Sequence, residues 1–155
     1  MNLQTVYVAL TFLALFAMAS HADEWRSRLS CNDSTLVVDG LHTNEKGFVD
    51  HQLVIRNRVA VAHIQSLIGI PLTLSVNGEF IASSLGPNLN GNVDTEIGRQ
   101  PFRGPGALIY QLHSRWLDAH RYEVLITSFS CTPGNCGPPP GTVLGSWIFN
   151  DCNPK

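Results

Sequence analysis

The stretch ALIYQLHSRWLDAHRYEVLITSFSC, residues 107–131, decides how this chain folds. Two runs rich in β-branched and aromatic residues flank a short polar break, Asp118-Ala119-His120. Such runs around a tight polar connection are typical of two antiparallel strands. The same stretch contains two of the six histidines, a Trp, two Tyr and a Cys. We therefore expect structure and any chemistry to meet on this hairpin.

Further short strands are predicted on both sides of the hairpin. Before it they cover residues 25–31, 35–38, 52–56 and both arms of a turn within residues 72–83, and after it residues 142–149. Many short strands separated by turn signals, without alternating β and α units, favour a barrel or a sandwich. The predicted fold is an all-β, disulfide-stapled antiparallel barrel or sandwich of about seven strands, with one short helix as an option.

That option concerns residues 59–68, which fit both a strand and a short helix. Apolar side chains alternate from Leu53 to Val61, which is the period of a strand. However, Asn57 is placed to cap a helix and Gly69 to end it. Several β-branched residues weaken an isolated helix here, so both alternatives stay open at this point.

The clearest local turn signal is Asn77-Gly78. This pair is preferred in two-residue type I′ turns, because both central residues need a positive φ. Such a turn would pair Val76 with Glu79. It would also place Leu74 opposite Ile81 as an apolar cross-strand pair on one face.

The N-terminal apolar run predicts export. Residues 6–19 read VYVALTFLALFAMA, a run shorter than the roughly 20 apolar residues that span a bilayer. It is followed by Ser20-His21-Ala22, with small residues at the positions that signal peptidase reads. We expect residues 1–22 to be a secretory signal peptide. Residues 23–155 would then form a single secreted β domain, extracellular or, in a bacterium, periplasmic.

Four cysteines in an exported chain imply two disulfides rather than free thiols or a metal site. Cys131 and Cys136 flank Thr-Pro-Gly-Asn, whose Pro-Gly suits a tight turn, so this pair can close locally. Cys31 then pairs with Cys152 and joins the start of the domain to its end. The pairing of Cys131 with Cys152 is disfavoured, since a hairpin of residues 122–131 and 142–152 would hold them about 30 Å apart.

The charge pattern argues against several classes of function. With ten basic and twelve acidic residues the formal net charge is −2. No cationic stripe is present of the kind that phosphate-driven nucleic-acid binding requires, and a membrane-surface role lacks support as well. We expect no nucleic-acid partner, no membrane association after signal cleavage, no cofactor and no metal.

One alternative is a small secreted hydrolase of the ribonuclease or glycosidase type. Such an enzyme needs a general acid and a general base beside its substrate, and His113, His120 and Glu123 are the candidate catalytic residues. No nucleophile motif such as G-x-S-x-G accompanies them. Polar residues on one face of a half-buried sheet are also commonly just solvated.

A binding role needs fewer specialised groups. Residues 86–106 show no strand pattern, so we expect a long polar loop, a feature that is often functional. With the bridged loop of residues 131–136 it would form a rim at one end of the sheet, whose binding residues would be Phe102, Arg103, Tyr110 and Trp116. The predicted function is a secreted, non-catalytic binding or interaction module of inhibitor, adhesin or ligand-binding type. Its partner would be an extracellular protein or glycan.

Cleavage after Ala22 is a testable consequence of the export signal. The protein released by a secreting host should begin at Asp23, because signal peptidase cuts behind the small residues that follow the apolar run. Intact-mass measurement of the released protein checks this, with the precursor from the cell pellet as the reference. Release of a chain that still carries residues 1–22 would contradict it.

Overall fold

The computed structural model describes residues 28–32, 35–43, 49–86, 92–137 and 141–154. The predicted signal peptide and the first part of the strand predicted at residues 25–31 lie outside these ranges. The described residues form ten strands and one helix. In chain order these are β1 (Arg28–Cys31), β2 (Leu36–Thr43), β3 (Val49–Ile55), α1 (Arg58–Ile68), β4 (Phe80–Gly86), β5 (Asp94–Pro101), β6 (Ala107–Trp116), β7 (Tyr122–Thr132), β8 (Asn135–Cys136), β9 (Thr142–Phe149) and β10 (Asn153–Pro154).

The strands form two antiparallel sheets. Sheet A has the order β10-β1-β2-β3-β4, and sheet B has the order β5-β6-β7, with both β8 and β9 pairing along the far side of β7. The predicted all-β class is confirmed, but the described strands number ten rather than about seven. Two of the additional strands, β8 and β10, are only two residues long.

The central hairpin is confirmed in full. β6 and β7 pair without interruption from Ala107 opposite Cys131 to Trp116 opposite Tyr122. β9 occupies residues 142–149, as predicted, and pairs antiparallel with β7. Because side chains alternate between the two faces of a strand, this register places Leu112 and Val124 in the core and their sequence neighbours on the outer face.

Residues 58–68 are helical, which resolves the open alternative. The side-chain Oδ1 of Asn57 accepts hydrogen bonds from the backbone N–H groups of Val59 and Ala60, at 3.0 and 3.1 Å. Gly69 ends the helix in the left-handed conformation, with φ 67°. These caps satisfy backbone groups that a helix end otherwise leaves without a partner. The β-branched residues are accommodated because Val61 and Ile64 face the core, so burial outweighs their weak helix propensity.

A single apolar core lies between the two sheets and the helix. Each fully buried large apolar side chain contributes about 1.5–3 kcal/mol, so this core is the main source of stability. The helix contacts β9 closely at Gly145, where a Cβ atom would lie 2.8 Å from Leu67 Cδ2. A larger residue at Gly145 would therefore push Leu67 out of place.

The prediction of one long loop over residues 86–106 was wrong. Residues 94–101 form strand β5, which pairs with β6 from Asp94 opposite His113 to Pro101 opposite Ala107. Edge strands carry charged and turn-forming residues more often than central strands, which explains why the polar sequence DTEIGRQP did not indicate a strand. A smaller correction concerns β2, which continues to Thr43 instead of ending near Val38.

The predicted two-residue turn at Asn77-Gly78 was also wrong in its register. Leu74 pairs with Phe80, and the Ser75 N–H donates to the Glu79 carbonyl at 2.9 Å. The loop therefore has three residues, 76–78, with Gly78 in the left-handed region at φ 76°, as in hairpins that combine a type I turn with a bulge. As a result Leu74 and Ile81 are not partners, and both are exposed.

The structure pairs Cys31 with Cys152 and Cys131 with Cys136, as predicted. The first bridge spans 121 residues and is buried in the core, whereas the second closes a turn only five residues apart. The Cys152 N–H also donates to the carbonyl of His120 at 2.9 Å. This contact joins the end of the chain to the turn of the central hairpin.

The two disulfides should contribute unequally to stability. Replacing Cys31 and Cys152 together with Ala should lower the free energy of unfolding by about 5 kcal/mol, and replacing Cys131 and Cys136 by about 2 kcal/mol, since closure entropy grows with loop length. Urea unfolding of the two double variants measures both values. Equal losses, or a larger loss for the local pair, would contradict this account.

Candidate functional site

The outer face of sheet B, opposite the core, collects most of the polar groups of interest. Residues directly opposite each other in an antiparallel sheet share a face. The register therefore places Asp94, His113 and Leu125 in one row, with Arg115 and Glu123 in the next row toward the hairpin turn.

His113 stands at the centre of a relay of three side chains. Its Nδ1 lies 2.6 Å from Asp94 Oδ1, and its Nε2 lies 2.9 Å from Thr127 Oγ1. A neutral imidazole that donates from Nδ1 and accepts at Nε2 satisfies both contacts. The hydroxyl, imidazole and carboxylate thus follow the order found in nucleophilic triads.

The burial of Thr127 argues against nucleophilic catalysis by this relay. Thr127 is 0% exposed, so its hydroxyl cannot reach a substrate without rearrangement of the sheet. The relay is therefore suited to fixing the pairing of β5, β6 and β7.

Glu123 is also held by a partner within the sheet. Arg115 Nε donates to Glu123 Oε2 at 2.9 Å, and the Glu123 side chain is mostly buried while Arg115 is exposed. Removing the arginine would leave a buried carboxylate without its cation, which is costly. This carboxylate is consequently held by the arginine of the neighbouring strand and is mostly shielded from solvent.

His120 is exposed in the turn between β6 and β7. Within the described ranges, no hydrogen bond or ion pair connects its side chain with His113 or Glu123. The turn is organised by Asp118, whose Oδ1 accepts from the backbone N–H groups of His120 and Arg121 at 2.9 Å each. The hydrogen bond from the His120 backbone and that from the Arg121 side chain hold the pKa of Asp118 below its usual range.

The inner face of sheet B carries a separate hydrogen-bonded group. The Tyr122 hydroxyl lies 2.8 Å from Ser114 Oγ, and the Val93 N–H donates to the same Ser114 oxygen at 2.7 Å. Burial raises the pKa of Tyr122 far above its usual range. This phenol therefore stays protonated and acts as part of the core.

Sequence reasoning did not find Asp94 or Thr127 as partners of His113. Asp94 was assigned to a loop, and Thr127 is an unremarkable residue of a predicted strand. The only available signal was the even spacing of polar residues along β6, namely Gln111, His113 and Arg115. That spacing indicates a polar face but not which strand lies next to it.

The four predicted binding residues separate into two pairs. Tyr110 is 5% exposed and its hydroxyl donates to Gln100 Oε1 at 3.1 Å, so it belongs to the core. Trp116 is half-buried and packs edge-on against Tyr122, with ring centroids 5.5 Å apart. In contrast, Phe102 is 40% exposed and Arg103 is exposed, both in the turn between β5 and β6.

The turn of residues 102–106 and the disulfide-closed turn meet at one end of sheet B. Gly106 has φ 118°, and a Cβ atom there would lie 2.6 Å from the carbonyl oxygen of Cys131 and 3.2 Å from Phe102. The turn of residues 102–106 is therefore packed against the start of the disulfide-closed turn of residues 132–136. We call these two turns together the tip.

The tip is held by hydrogen bonds and a disulfide, and it is mostly exposed. The Phe102 N–H donates to the Gly106 carbonyl at 3.0 Å, and the Thr132 hydroxyl donates to the Asn135 carbonyl at 3.1 Å. The turn of residues 132–136 is also closed by the Cys131–Cys136 bridge. Arg103 is the only charged residue of the tip, so this end of the sheet carries a positive charge beside an aromatic ring.

No group of three or more His, Cys, Asp or Glu side chains in the described part of the chain is arranged to hold a metal ion. Among the same residues, no helix is long and apolar enough to cross a membrane.

Comparison of the chain with known protein families, with curated proteins and with solved structures found no match. Any functional conclusion therefore depends on the geometry given above.

The relay predicts a structural role for His113. Replacing His113 with Gln should lower the free energy of unfolding by about 1–3 kcal/mol, since two hydrogen bonds of about 0.5–1.5 kcal/mol are lost. His120→Gln is the matched control and should change it by less than about 0.5 kcal/mol, because this side chain is exposed. Urea unfolding provides both values.

The same variants test the hydrolase alternative. The unmodified protein and both variants are incubated with RNA and with a panel of glycans, and the products are quantified. We expect no cleavage above background. If the unmodified protein cleaves one of these substrates and folded His113→Gln loses that activity by about a hundredfold or more, as when a general acid or base is removed, the structural reading is wrong.

Proposed function

We propose that this protein is a secreted, non-catalytic binding module that contacts an extracellular protein through the tip of sheet B. The observation that carries the proposal is the placement of Phe102 and Arg103, both exposed, on a turn held rigid by its neighbours. Aromatic and arginine side chains are enriched among residues that dominate binding energy in protein interfaces.

Rigidity of the tip supports this proposal on energetic grounds. Ordering a mobile loop on binding costs free energy, and a preformed loop avoids that cost. Here the Cys131–Cys136 bridge, Gly106 and the hydrogen bonds within both turns hold the two turns in one conformation before any partner is bound.

The contacts of the charged and polar side chains on sheet B support a non-catalytic function. His113, Asp94, Arg115 and Glu123 are all engaged with one another or with Thr127. A catalytic group must be within reach of the substrate, whereas Thr127, whose hydroxyl would be the nucleophile of such a relay, is 0% exposed.

Two features support export. The apolar run at residues 6–19 is followed by Ser20-His21-Ala22, whose small residues are typical of a signal-peptidase site. The two disulfides are consistent with an oxidising environment such as the extracellular space.

The tip also indicates the chemistry of its partner. With one arginine and no carboxylate, the tip should prefer a partner surface that offers an apolar recess beside an acidic group. A protein surface supplies both features more readily than a neutral glycan does, and we therefore favour a protein partner.

To test the proposal, the labelled protein is applied to immobilised extracellular proteins and, separately, to a glycan array. For each partner found, Kd is measured for Phe102→Ala, Arg103→Ala and the control Ile148→Ala. Ile148 is as exposed as Phe102, and it lies on β9 opposite Glu123, toward the other end of sheet B.

We expect Phe102→Ala to weaken binding by about 2 kcal/mol or more, which is about thirtyfold in Kd. Ile148→Ala should stay within about 0.5 kcal/mol. Equal losses for Phe102→Ala and Ile148→Ala would place the interface elsewhere on the sheet. Binding to glycans alone would replace the protein partner.

A further inference from the structure

A second exposed feature lies between α1 and the hairpin loop of residues 76–78. It is a mainly apolar groove of about 460 Å³. That volume is within the range of roughly 300–1,000 Å³ that is usual for ligand sites. The helix contributes Arg58, Val61, Ala62 and Gln65 to its lining, and the hairpin contributes Leu74 and Val76.

The helical wall is one continuous stripe. Positions 58, 61, 62 and 65 follow the spacing that places side chains along one face of a helix. This stripe lies beside the one that packs into the core, with Val61 shared between the two. The groove therefore borders the core-facing surface of the helix, and its helical wall combines the apolar residues Val61 and Ala62 with the polar residues Arg58 and Gln65.

The opposite wall holds apolar side chains in solvent. Val76 is fully exposed at the first position of the loop, and Leu74 is 42% exposed. The loop cannot easily fold these residues inward, because Ser75 Oγ accepts hydrogen bonds from the N–H groups of Asn77 and Glu79, at 3.3 and 3.1 Å. An ion pair between Glu79 and Arg56, at 2.7 Å, further fixes the hairpin.

The charge of the groove identifies its occupant. Arg58 is the only charged residue that lines it, and no ion pair of Arg58 is present among the described residues. Arg58 is also the first residue of α1, and the first turn contains no acidic residue. A cation at that position is disfavoured by the helix dipole, whose N-terminal end is positive. A carboxylate from outside would compensate both positive charges at once.

We infer that this groove binds a protein segment in which an apolar side chain is followed by a carboxylate. The apolar side chain lies between Val61, Ala62 and Val76, and the carboxylate pairs with Arg58. This surface does not include the tip, and its test does not depend on the proposed function.

The test uses three short probe peptides and the full chain as its host cell processes it. The peptides are acetyl-Gly-Leu-Asp-Gly-amide and the same sequence with Leu-Asn or with Ser-Asp at its centre. Each is titrated into the isotope-labelled protein, and binding is followed by NMR through the backbone signals of Val61, Ala62 and Gly78. The same spectra report whether each variant is folded.

We expect saturable shifts at the groove with the Leu-Asp peptide. The Leu-Asn peptide should bind about two- to fivefold more weakly, because it lacks the exposed ion pair with Arg58. The Ser-Asp peptide should bind more weakly by about tenfold or more, since it lacks the apolar side chain.

Two variants assign these preferences to residues. Arg58→Gln should abolish the preference for Asp over Asn and keep the preference for Leu over Ser. Val76→Ser should abolish the preference for Leu over Ser and keep the preference for Asp over Asn. Val143 is an exposed apolar residue on β9. The control variant Val143→Ser should leave all three affinities unchanged.

The inference is overturned if none of the peptides shifts the groove signals, or if Arg58→Gln retains the preference for Asp. It is also overturned if the same signals shift with protein concentration in the absence of peptide, which would assign the groove to a second copy of the chain.

Discussion

The register of the β6–β7 hairpin is the constraint on which the rest of this structure depends. Ten consecutive residue pairs leave no freedom for the two strands to slide, and a slip by one residue would exchange the two faces completely. If β7 slipped in this way, Val124 would face solvent and Glu123 would enter the core. β5 and β9 pair with this hairpin and α1 packs on β9. The positions of β5, β9 and α1 therefore all depend on the register of β6 against β7.

The polar and apolar surfaces of the molecule have different roles as a result. On the outer face of sheet B the charged groups are paired with each other, and that face holds three strands together. Phe102 and Val76 instead lie exposed at turns, near Arg103 and Arg58, which have no ion pair among the described residues. Ligand recognition is therefore expected from turns and helix surface, because the titratable groups that could do chemistry are already engaged in the fold.

Much of the fold could be predicted because its strongest signals are local. Alternating β-branched residues indicate the central hairpin, and the Pro-Gly turn between two cysteines indicates the short bridge. Strand β5 could not be predicted, since its polar sequence becomes a strand only through pairing with β6. The loop at residues 76–78 was misjudged because Ser75 Oγ captures two backbone N–H groups, an interaction that Asn77-Gly78 alone does not indicate. Tyr110 was assigned to a binding rim, although its strand position directs it inward.

The pairing of β1 with β10 has a consequence for the connectivity of the chain. Leu29 lies opposite Pro154, and the Cys31–Cys152 bridge joins the same two segments covalently. The first and last described strands are therefore neighbours, so the fold should depend little on which loop contains the two chain ends. A circular permutant that links residue 154 to residue 28 and opens the backbone within residues 76–78 should therefore keep both sheets, since the new link joins neighbouring strands and the cut falls in an exposed loop.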